Sequence, residues 1–498
     1  MSDLLTRAER TSYQETSTHA DVMAFIGRLK DLGGGRLQVT DFGSSPEGRI
    51  LPLLILSNRG CFTPEAARAA GAPVVLVQCG IHAGEVEGKE AALMFVRDLL
   101  QGRHGALLDR VTLLVAPLFN ADGNDRMNAE NRKLEIESFR GQLGPELVGT
   151  RENAAGINLN RDYMRQEGPE MRLMQSRVCH PWNPHLTIDC HTTNGSIHRF
   201  AMTYDIPHVV DSGRREPIEY MREKVMPAVQ AAVKVHDGLD SFWYGNFLRD
   251  EGGEGTGWIT YPHHPRFGGN YRGLTNRLDL LLETYSYISF PERVRATYGF
   301  LRETLNYVAG HDEEILKLLE TCLVPPPQVA VRYRQEAFEQ RFVTILTREP
   351  YNLNGAPVEA KVPHIARFVG ERSVARPLAY AVPPNVAEHL ERHGLEVDAH
   401  APSPLSAEIA TVKRQVSIGG REILEADSAS HLEVELATAH RLLPDGWRLV
   451  YTAQQRGAIA AYLCEAGSDD GLMACGLIPT PTPGTEFPAW RVLAVERR

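Results

Sequence analysis

Residues 73–100 read PVVLVQCGIHAGEVEGKEAALMFVRDLL, and this stretch contains the pattern that decides the fold. The run from Pro73 to Cys79 is almost wholly apolar, as expected of a strand that is covered on both faces of its sheet. A short polar turn follows, and apolar residues then recur from Glu87 to Leu100 at the spacing of a helix face that packs on a core. A buried strand, a turn and an amphipathic helix in succession are typical of an α/β protein.

The same alternation continues on both sides of this stretch. Helical spacing is predicted near the start of the chain, where Val22, Phe25, Ile26 and Leu29 share one face, and again from Arg293 to Val308. The other clear strand-like runs are Ile50 to Leu56, Val111 to Leu118, His185 to Asp189 and Leu278 to Glu283. We therefore expect an α/β fold with a largely buried sheet.

Three consecutive prolines, Pro325 to Pro327, mark a break in the pattern, because proline cannot continue the helix-like segment before them. We place a domain boundary there, with a first domain over residues 1–325 and an accessory domain over residues 328–498. Short apolar runs such as Phe342 to Leu346, punctuated by Pro and Gly, predict a smaller, β-rich or α+β second domain. Its residues do not indicate a role.

Composition excludes several classes of partner. The chain has 498 residues and a formal net charge of -10, without the clustered Lys and Arg of nucleic-acid-binding proteins. No run approaches the roughly 18 to 20 apolar residues of a membrane span, and the amino terminus lacks the apolar core of a secretory signal. We therefore expect a cytoplasmic protein that binds neither nucleic acid nor membrane. Its 7 cysteines form no CxxC pair and are expected to be reduced thiols.

Two residues of the turn after Cys79 have the chemistry of metal ligands. His82 and Glu85 lie where a strand ends, at the edge of an α/β sheet where ligands bind, and a nitrogen with a carboxylate oxygen suits zinc. The His-x-x-Glu pattern also arises by chance. It recurs from His311 to Glu314, where the charged helical context favours an exposed helix start.

A third candidate ligand, His191, follows the apolar run that ends at Asp189. Three protein ligands leave the fourth position of zinc open, which distinguishes catalytic from structural sites. The alternative is that His191 only caps a strand by hydrogen bonding. Cys190 could bind the metal instead, but neighbouring strand residues face opposite sides, so both are not expected to bind.

Glu283 ends another strongly apolar run and is a candidate general base. Partial burial would raise the pKa of its carboxyl group toward a value suited to accepting a proton from water. The alternative is an ordinary acidic residue at a strand end in solvent.

In their order along the chain these motifs resemble those of the zinc carboxypeptidase family. The resemblance covers about residues 15 to 310 and is carried by His82 to Glu85, Asn120-Ala121-Asp122-Gly123, Asn160-Arg161, His191 and Glu283. It implies an α/β/α sandwich around a mixed, eight-stranded sheet. It also implies one zinc ion per chain, held by His82, Glu85 and His191, with Glu283 as the general base.

The resemblance also implies which residues bind the substrate carboxylate and stabilise the oxyanion. Asn160 and Arg161 match the pair that grips the substrate carboxylate, for which a guanidinium fork is well shaped. Arg132 is the counterpart of the arginine that stabilises the oxyanion of the reaction, although Arg126 or Arg151 could occupy that position instead.

Three further positions differ from the family or leave a choice. Ala121 replaces the usual proline of its turn, and Asn158 replaces an aspartate, so that a zinc-binding histidine would have a neutral partner. For the substrate-binding tyrosine we choose Tyr271, which has the more site-like surroundings, over Tyr261.

We therefore expect a zinc metallocarboxypeptidase that hydrolyses a peptide or amide bond next to a free carboxylate. One alternative is an aspartoacylase-like zinc deacylase or amidase that acts on small N-acyl amino acids. Another is a catalytically silent metal-binding or peptide-binding protein, although binding alone needs no base such as Glu283. The Gly-rich and aromatic segment from Gly252 to Gly273, predicted to form loops at the mouth of the site, favours the peptidase. Self-association is not indicated.

Overall fold

A computed structural model describes residues 4–135, 137–249, 255–339, 342–398, 404–417 and 430–495. Before Pro325 the strands are β1 (Leu37–Ser44), β2 (Ile50–Leu56), β3 (Val74–Cys79), β4 (Thr112–Ala116), β5 (Leu186–Thr192), β6 (Met202–Asp205), β7 (Ser241–Trp243), β8 (Asn246–Arg249), β9 (Gly255–Ile259) and β10 (Leu278–Thr284). The α-helices of this part are α1 (Arg7–Arg10), α2 (His19–Gly33), α3 (Pro64–Ala70), α4 (Glu87–Leu100), α5 (Ala121–Asp125), α6 (Pro169–Met174), α7 (His180–Trp182), α8 (Arg215–Tyr220), α9 (Met226–Asp237), α10 (Gly268–Leu274), α11 (Phe290–Gly310) and α12 (Asp312–Glu320).

After Pro327 the chain is mainly β-structure. Its elements are β11 (Gln328–Glu336), β12 (Phe342–Glu349), β13 (Ala356–Ile365), β14 (Arg367–Ala375), β15 (Ala379–Val382), α13 (Pro384–Arg392), β16 (Pro404–Ser417), β17 (Ser430–Leu442), β18 (Arg448–Tyr451), α14 (Gly457–Cys464) and β19 (Trp490–Val495).

The large sheet is mixed and eight-stranded, with the order β1-β2-β4-β3-β5-β10-β6-β7. Its centre is parallel, since β4, β3, β5 and β10 run in one direction, whereas β2 and β6 pair with this centre antiparallel. The apolar runs predicted as strands correspond to β2, β3, β4, β5 and β10 within a few residues. The predicted fold class is therefore confirmed.

Alternate residues of each central strand enter two different cores, which explains the continuous apolar runs. In β3, Val75 and Val77 pack with α2, α4 and α11 on one face of the sheet. Val74 and Leu76 pack on the other face, in a core that also contains Val329 and Ile459. The segment after Pro327 thus shares a core with the sheet, and the boundary at Pro325 to Pro327 stays a prediction.

Residues after Pro327 also pair with earlier strands. The hairpin of β12 and β13 joins β9 and β8 in a four-stranded sheet, because His364 and Ile365 pair with Trp258 and Ile259. A five-stranded sheet contains β15 to β19. Among the described helices, none has both the length and the apolar character needed to cross a lipid bilayer.

Gly88, near the start of α4, permits the close approach of this helix to β5. A Cβ atom at Gly88 would lie 2.6 Å from Cys190 Cβ, whereas one at Gly27 in α2 would have no neighbour within 4 Å. We expect Gly88→Ala to lower the free energy of unfolding by about 1–3 kcal/mol through overpacking. Gly27→Ala should instead raise it by about 0.5–1 kcal/mol. Thermal unfolding of both variants measures the opposite signs, and a Gly88→Ala protein as stable as the wild type would contradict the close approach.

Candidate functional site

The candidate metal ligands gather at the carboxyl edge of the central strands. His82 and Glu85 lie in the turn after β3, and His191 is the penultimate residue of β5. Strand β5 is paired in parallel with both β3 and β10, and its His191 lies opposite Glu283 in register. The sheet thus brings together residues that lie about 100 and 200 positions apart in the sequence.

The two histidines present the same ring atom to Glu85. His82 Nδ1 lies 3.2 Å from Glu85 Oε1, and His191 Nδ1 lies 2.9 Å from Glu85 Oε2. The Nε2 atoms face side-chain oxygens instead, Asn158 Oδ1 at 3.1 Å and Asp189 Oδ1 at 3.3 Å. Partners of this kind orient imidazole rings around a metal ion, and the expected contact of Asn158 with a histidine of the site is confirmed.

These three buried side chains fit a zinc ion. One ligand atom from each lies within 4.8 Å of the others, and two imidazole nitrogens with one carboxylate oxygen are a donor set that zinc accepts. Burial lowers the pKa of His82 to about 3, so its ring is neutral and a lone pair is available. Burial alone would lower the pKa of His191, but Asp189 and Glu85 raise it well above its ordinary value. The carboxylates of Asp189 and Glu85 favour a positive charge at the His191 ring. A metal ion can supply that charge in place of a proton.

Cys190 does not take part in this group. Its side chain belongs to the core on the opposite face of the sheet, where it adjoins Gly88. This placement follows from the alternation of side chains along β5, as the sequence predicts.

Asp189 is a site residue that the sequence interpretation did not single out. Its Oδ2 accepts a hydrogen bond from Arg272 Nη2 at 2.8 Å, and its Oδ1 accepts one from Gln78 Nε2 at 3.1 Å. Arg272 also pairs with Asp279, so that the buried charges compensate one another. Asp189 could have been identified from its position two residues before His191, because residues two apart in a strand share one face.

Glu87 fixes the strand ends that carry His191 and Glu283. The hydroxyl groups of Thr192 and Thr284, which directly follow those two residues, both donate to Glu87 Oε1. The other carboxylate oxygen lies 3.3 Å from Nε of the fully buried Arg293 in α11. The first residue of α4 therefore holds two neighbouring strand ends in place.

A cavity of about 800 Å³ opens over this group, within the range of small-molecule and peptide sites. Its wall includes the three candidate ligands, Asp189 and Glu283, together with polar residues predicted to contact substrate: Arg132, Arg151, Asn160 and Arg161. Burial raises the pKa of Glu283 to about 8, although the neighbouring His191 opposes this shift. Glu283 is thus a partly exposed carboxyl group that can hold or release a proton near neutral pH.

The three candidate arginines for the oxyanion are placed differently. Arg126 is directed to the surface and pairs with Glu47. Arg132 donates to Glu85 Oε1 at 3.0 Å, to Gln142 Oε1 at 2.7 Å and to the Thr193 carbonyl at 3.0 Å. Arg151 places Nη1 3.1 Å from His82 Nδ1, the atom that would face a metal ion, and 3.5 Å from Glu85 Oε1.

Asn160 and Arg161 lie on another side of the cavity, as the resemblance implies for a carboxylate clamp. Asn160 Oδ1 accepts a hydrogen bond from the Gly268 amide at 3.0 Å. The guanidinium carbon of Arg161 lies 3.8 Å above the centre of the Phe267 ring. Stacking on an aromatic face holds the guanidinium plane while its edge can still donate hydrogen bonds.

Tyr271 does not line the cavity, and its choice as the substrate-binding tyrosine needs correction. It is buried in α10, where its hydroxyl lies 2.8 Å from His393 Nδ1 and its ring packs on Tyr163. The helix turns this side chain toward the segment after Pro327. Tyr261 and Tyr244 line the cavity instead. Of the predicted mouth segment, residues 252–254 lie outside the described residues.

A second cluster of histidine and aspartate lies away from the cavity. His263 Nε2 is 2.7 Å from Asp469 Oδ2, and His264 is near both. The other oxygen of Asp469 accepts the Tyr462 hydroxyl at 2.7 Å. Because its members are buried and do not line the cavity, we interpret the cluster as a polar link between the loop before α10 and the carboxyl-terminal segment.

Part of the chain is similar to a known protein family. A family model described as zinc carboxypeptidase matches residues 22–189, a range that includes His82, Glu85, Asn160 and Arg161 but ends before His191 and Glu283. The predicted resemblance is confirmed over that range. Comparison with curated proteins finds no match.

Solved structures to which the chain is similar are distant from it. The metallo-carboxypeptidase from Burkholderia cenocepacia is 20% identical, with 59% of this chain and 70% of that chain covered and a TM-score of 0.43. Bovine thrombin-activatable fibrinolysis inhibitor, in complex with tick carboxypeptidase inhibitor, is 17% identical, with 61% and 99% covered and a TM-score of 0.41.

Proposed function

We propose that this chain, whose residues 22–189 match the zinc carboxypeptidase family model, is a zinc-dependent carboxypeptidase. It would hydrolyse the peptide bond next to a free substrate carboxylate. The observation that supports the proposal best is that one cavity is lined at once by a zinc-type ligand set, a partly buried carboxyl group and a stacked arginine.

His82, Glu85 and His191 would hold the zinc ion, with Asn158 and Asp189 fixing the two imidazole rings. When bound there, zinc supplies a Lewis acid that polarises the substrate carbonyl and lowers the pKa of water. The remaining chemistry falls to side chains of the cavity wall.

Glu283 is the general base in this proposal. It accepts a proton from the water molecule that attacks the carbonyl carbon, and it then passes the proton to the leaving amine nitrogen. Two features support this role: Glu283 lies opposite His191 in the sheet, and its environment raises the pKa of its carboxyl group to about 8.

Arg151 is better placed than Arg132 to donate to the oxyanion that develops from the carbonyl oxygen. Its Nη1 atom lies beside His82 Nδ1, at the edge of the candidate metal position. Arg132 uses its Nε and both Nη atoms in hydrogen bonds to protein oxygens, whereas Arg151 Nη1 approaches Glu85 Oε1 only to 3.5 Å, so we assign Arg132 to holding Glu85 in place. Donors fixed in advance at such a position stabilise the transition state more than the ground state.

Arg161 and Asn160 would bind the free carboxylate of the substrate and thereby place the scissile bond over the metal ligands. Tyr261 and Tyr244 lie in the same part of the wall, in an apolar cluster with Phe267 and Leu281. This arrangement also suits small N-acyl amino acids, which carry a carboxylate, so the alternative of a deacylase is tested alongside the peptidase.

Glu283→Gln is expected to keep one zinc per chain and to lose about 10²–10⁴-fold in turnover, because only proton transfer is removed. Elemental analysis gives the metal content, and release of the terminal residue from short peptides gives the rate. His82→Ala is the matched control and should lose both the metal and the activity. Near-normal turnover of a zinc-loaded Glu283→Gln protein would exclude the role of general base.

Arg151→Gln and Arg132→Gln should separate the two arginines. The first is expected to lower kcat by about 10²–10³-fold, as loss of an oxyanion donor does, with a smaller change in melting temperature than the second. The second should mainly lower the free energy of unfolding, by about 1.5–3 kcal/mol, through loss of buried charged hydrogen bonds. Steady-state kinetics and thermal unfolding distinguish them, and the reverse pattern would return the oxyanion role to Arg132.

Arg161→Ala should lower kcat/KM about 10²-fold for peptides with a free terminal carboxylate. It should leave kcat/KM unchanged for the same peptides with an amidated terminus, since the clamp binds only the charged group. Arg126→Ala, at the surface, is the control and should change neither substrate class. The same assay with N-acyl amino acids tests the alternative function. Faster release from these compounds than from peptides would favour the deacylase, and equal losses on acids and amides would show that Arg161 is not the clamp.

A further inference from the structure

The turn of the β12–β13 hairpin reaches the cavity of the candidate site. Tyr351 lies in this turn and lines the cavity, and it is the one described residue after Pro327 that does so. The carboxyl-terminal segment therefore forms part of the wall, in addition to its packing on the sheet.

The hairpin is fixed against the chain that follows His191. The Ile197 amide donates to Tyr351 Oη at 2.7 Å, and Thr347 Oγ1 donates to the Ile197 carbonyl at 2.6 Å. The Arg199 amide donates to the Leu346 carbonyl at 2.8 Å. These bonds fix the Tyr351 side chain against Ile197, and residues 194–196 of the same segment also line the cavity.

Tyr351 is the centre of an aromatic group that also lines the cavity. Its ring centroid lies 5.4 Å from that of Phe139 and 5.9 Å from that of Phe247, both in edge-on arrangements. Phe139 has a φ of +55°, which is rare for a bulky residue, and its carbonyl accepts a hydrogen bond from the Gly195 amide. A costly backbone conformation that presents an aromatic ring to a cavity is typical of functional positions.

This aromatic group is distinct from the one beside the carboxylate clamp. Arg161 stacks on Phe267, which belongs to a cluster with Tyr244, Tyr261 and Leu281. Tyr351 and Phe139 belong to a different cluster, around Ile197 and Tyr285, and the two clusters share no member. A substrate with its carboxylate at Arg161 and its scissile bond at the candidate metal ligands would place the chain before that bond in the rest of the cavity, whose wall includes Tyr351 and Phe139.

On the basis of the proposed carboxypeptidase function, we infer that Tyr351, Phe139 and Phe247 form a subsite for the substrate residue that precedes the scissile bond. The subsite accepts a large apolar or aromatic side chain, because three rings offer edge and face contacts and little charge. The carboxyl-terminal segment thus acts in substrate selection, and peptides are favoured over amino acids with small acyl groups.

The test compares peptides that share one terminal residue and differ only in the residue before the scissile bond, Phe or Ala. Wild-type protein should prefer Phe over Ala by about 10- to 100-fold in kcat/KM, the range expected for burying an aromatic side chain. Tyr351→Ala and Phe139→Ala should each reduce this ratio several-fold, because each should slow hydrolysis of the Phe peptide more than that of the Ala peptide. The two variants alter different segments, and thermal unfolding of both shows whether the protein remains folded.

Two controls separate ring contact from structure. Tyr351→Phe removes the hydroxyl bond to Ile197 and keeps the ring, so the ratio should persist. Phe342→Ala removes an aromatic ring of the same hairpin that is 61% exposed, and it should leave the ratio unchanged. A ratio near one in the wild type, or equal losses on both peptides in Tyr351→Ala and Phe139→Ala, would overturn the subsite.

Binding of the same peptides to zinc-loaded Glu283→Gln protein, measured by calorimetry, keeps the subsite separate from the proposed reaction. If the Phe peptide binds more tightly than the Ala peptide, and this difference is lost in the Glu283→Gln/Tyr351→Ala double variant, the subsite is supported. Absence of hydrolysis of both peptides by the wild type would then reject only the carboxypeptidase function. Equal affinity for both peptides, or binding of neither, would overturn the subsite.

Discussion

The buried carboxylate of Glu87 is the interaction on which the geometry of the site depends. It accepts the hydroxyl groups of Thr192 and Thr284, so the two strand ends that carry His191 and Glu283 are held side by side. Burying this charge is costly, and the fully buried Arg293 offsets the cost from α11. Because Glu87 begins the helix that follows His82 and Glu85, one carboxylate relates three segments of the candidate metal site to one another.

Charges of opposite sign also alternate beside the candidate metal ligands. Asp189 lies between His191 and Arg272, and Arg272 in turn pairs with Asp279. Arg132 and Arg151 both pair with Glu85. Glu85, Asp189 and Asp279 thus each have an arginine partner, which allows these ionisable groups to share one low-dielectric region. The same arrangement fixes the imidazole rings, so the orientation of the candidate ligands comes from their neighbours as much as from the ligands themselves.

The segment after Pro327 is bound to the rest of the chain in three ways. It shares a core with one face of the sheet, it adds the β12–β13 hairpin beside β9, and its Asp469 pairs with His263. These contacts explain why Tyr351 can be held rigidly at the cavity although it lies about 160 residues after His191. They also explain the error over Tyr271, whose surroundings in the sequence are polar and rich in glycine but whose ring is covered by residues of this later segment.

The sequence alone determined the strands of the sheet centre, because a strand buried on both faces must be apolar throughout and such runs are recognisable without a structure. It also placed His82, Glu85, His191 and Glu283 at strand ends, where an α/β sheet gathers polar groups. Only the tertiary structure decided which arginine lies beside His82, which tyrosine faces the cavity and that Tyr351 reaches it. The physical reason is that the strand and helix periods specify only the face on which a side chain lies. Contacts between segments 100 or more residues apart depend on how the loops and the β12–β13 hairpin pack in three dimensions.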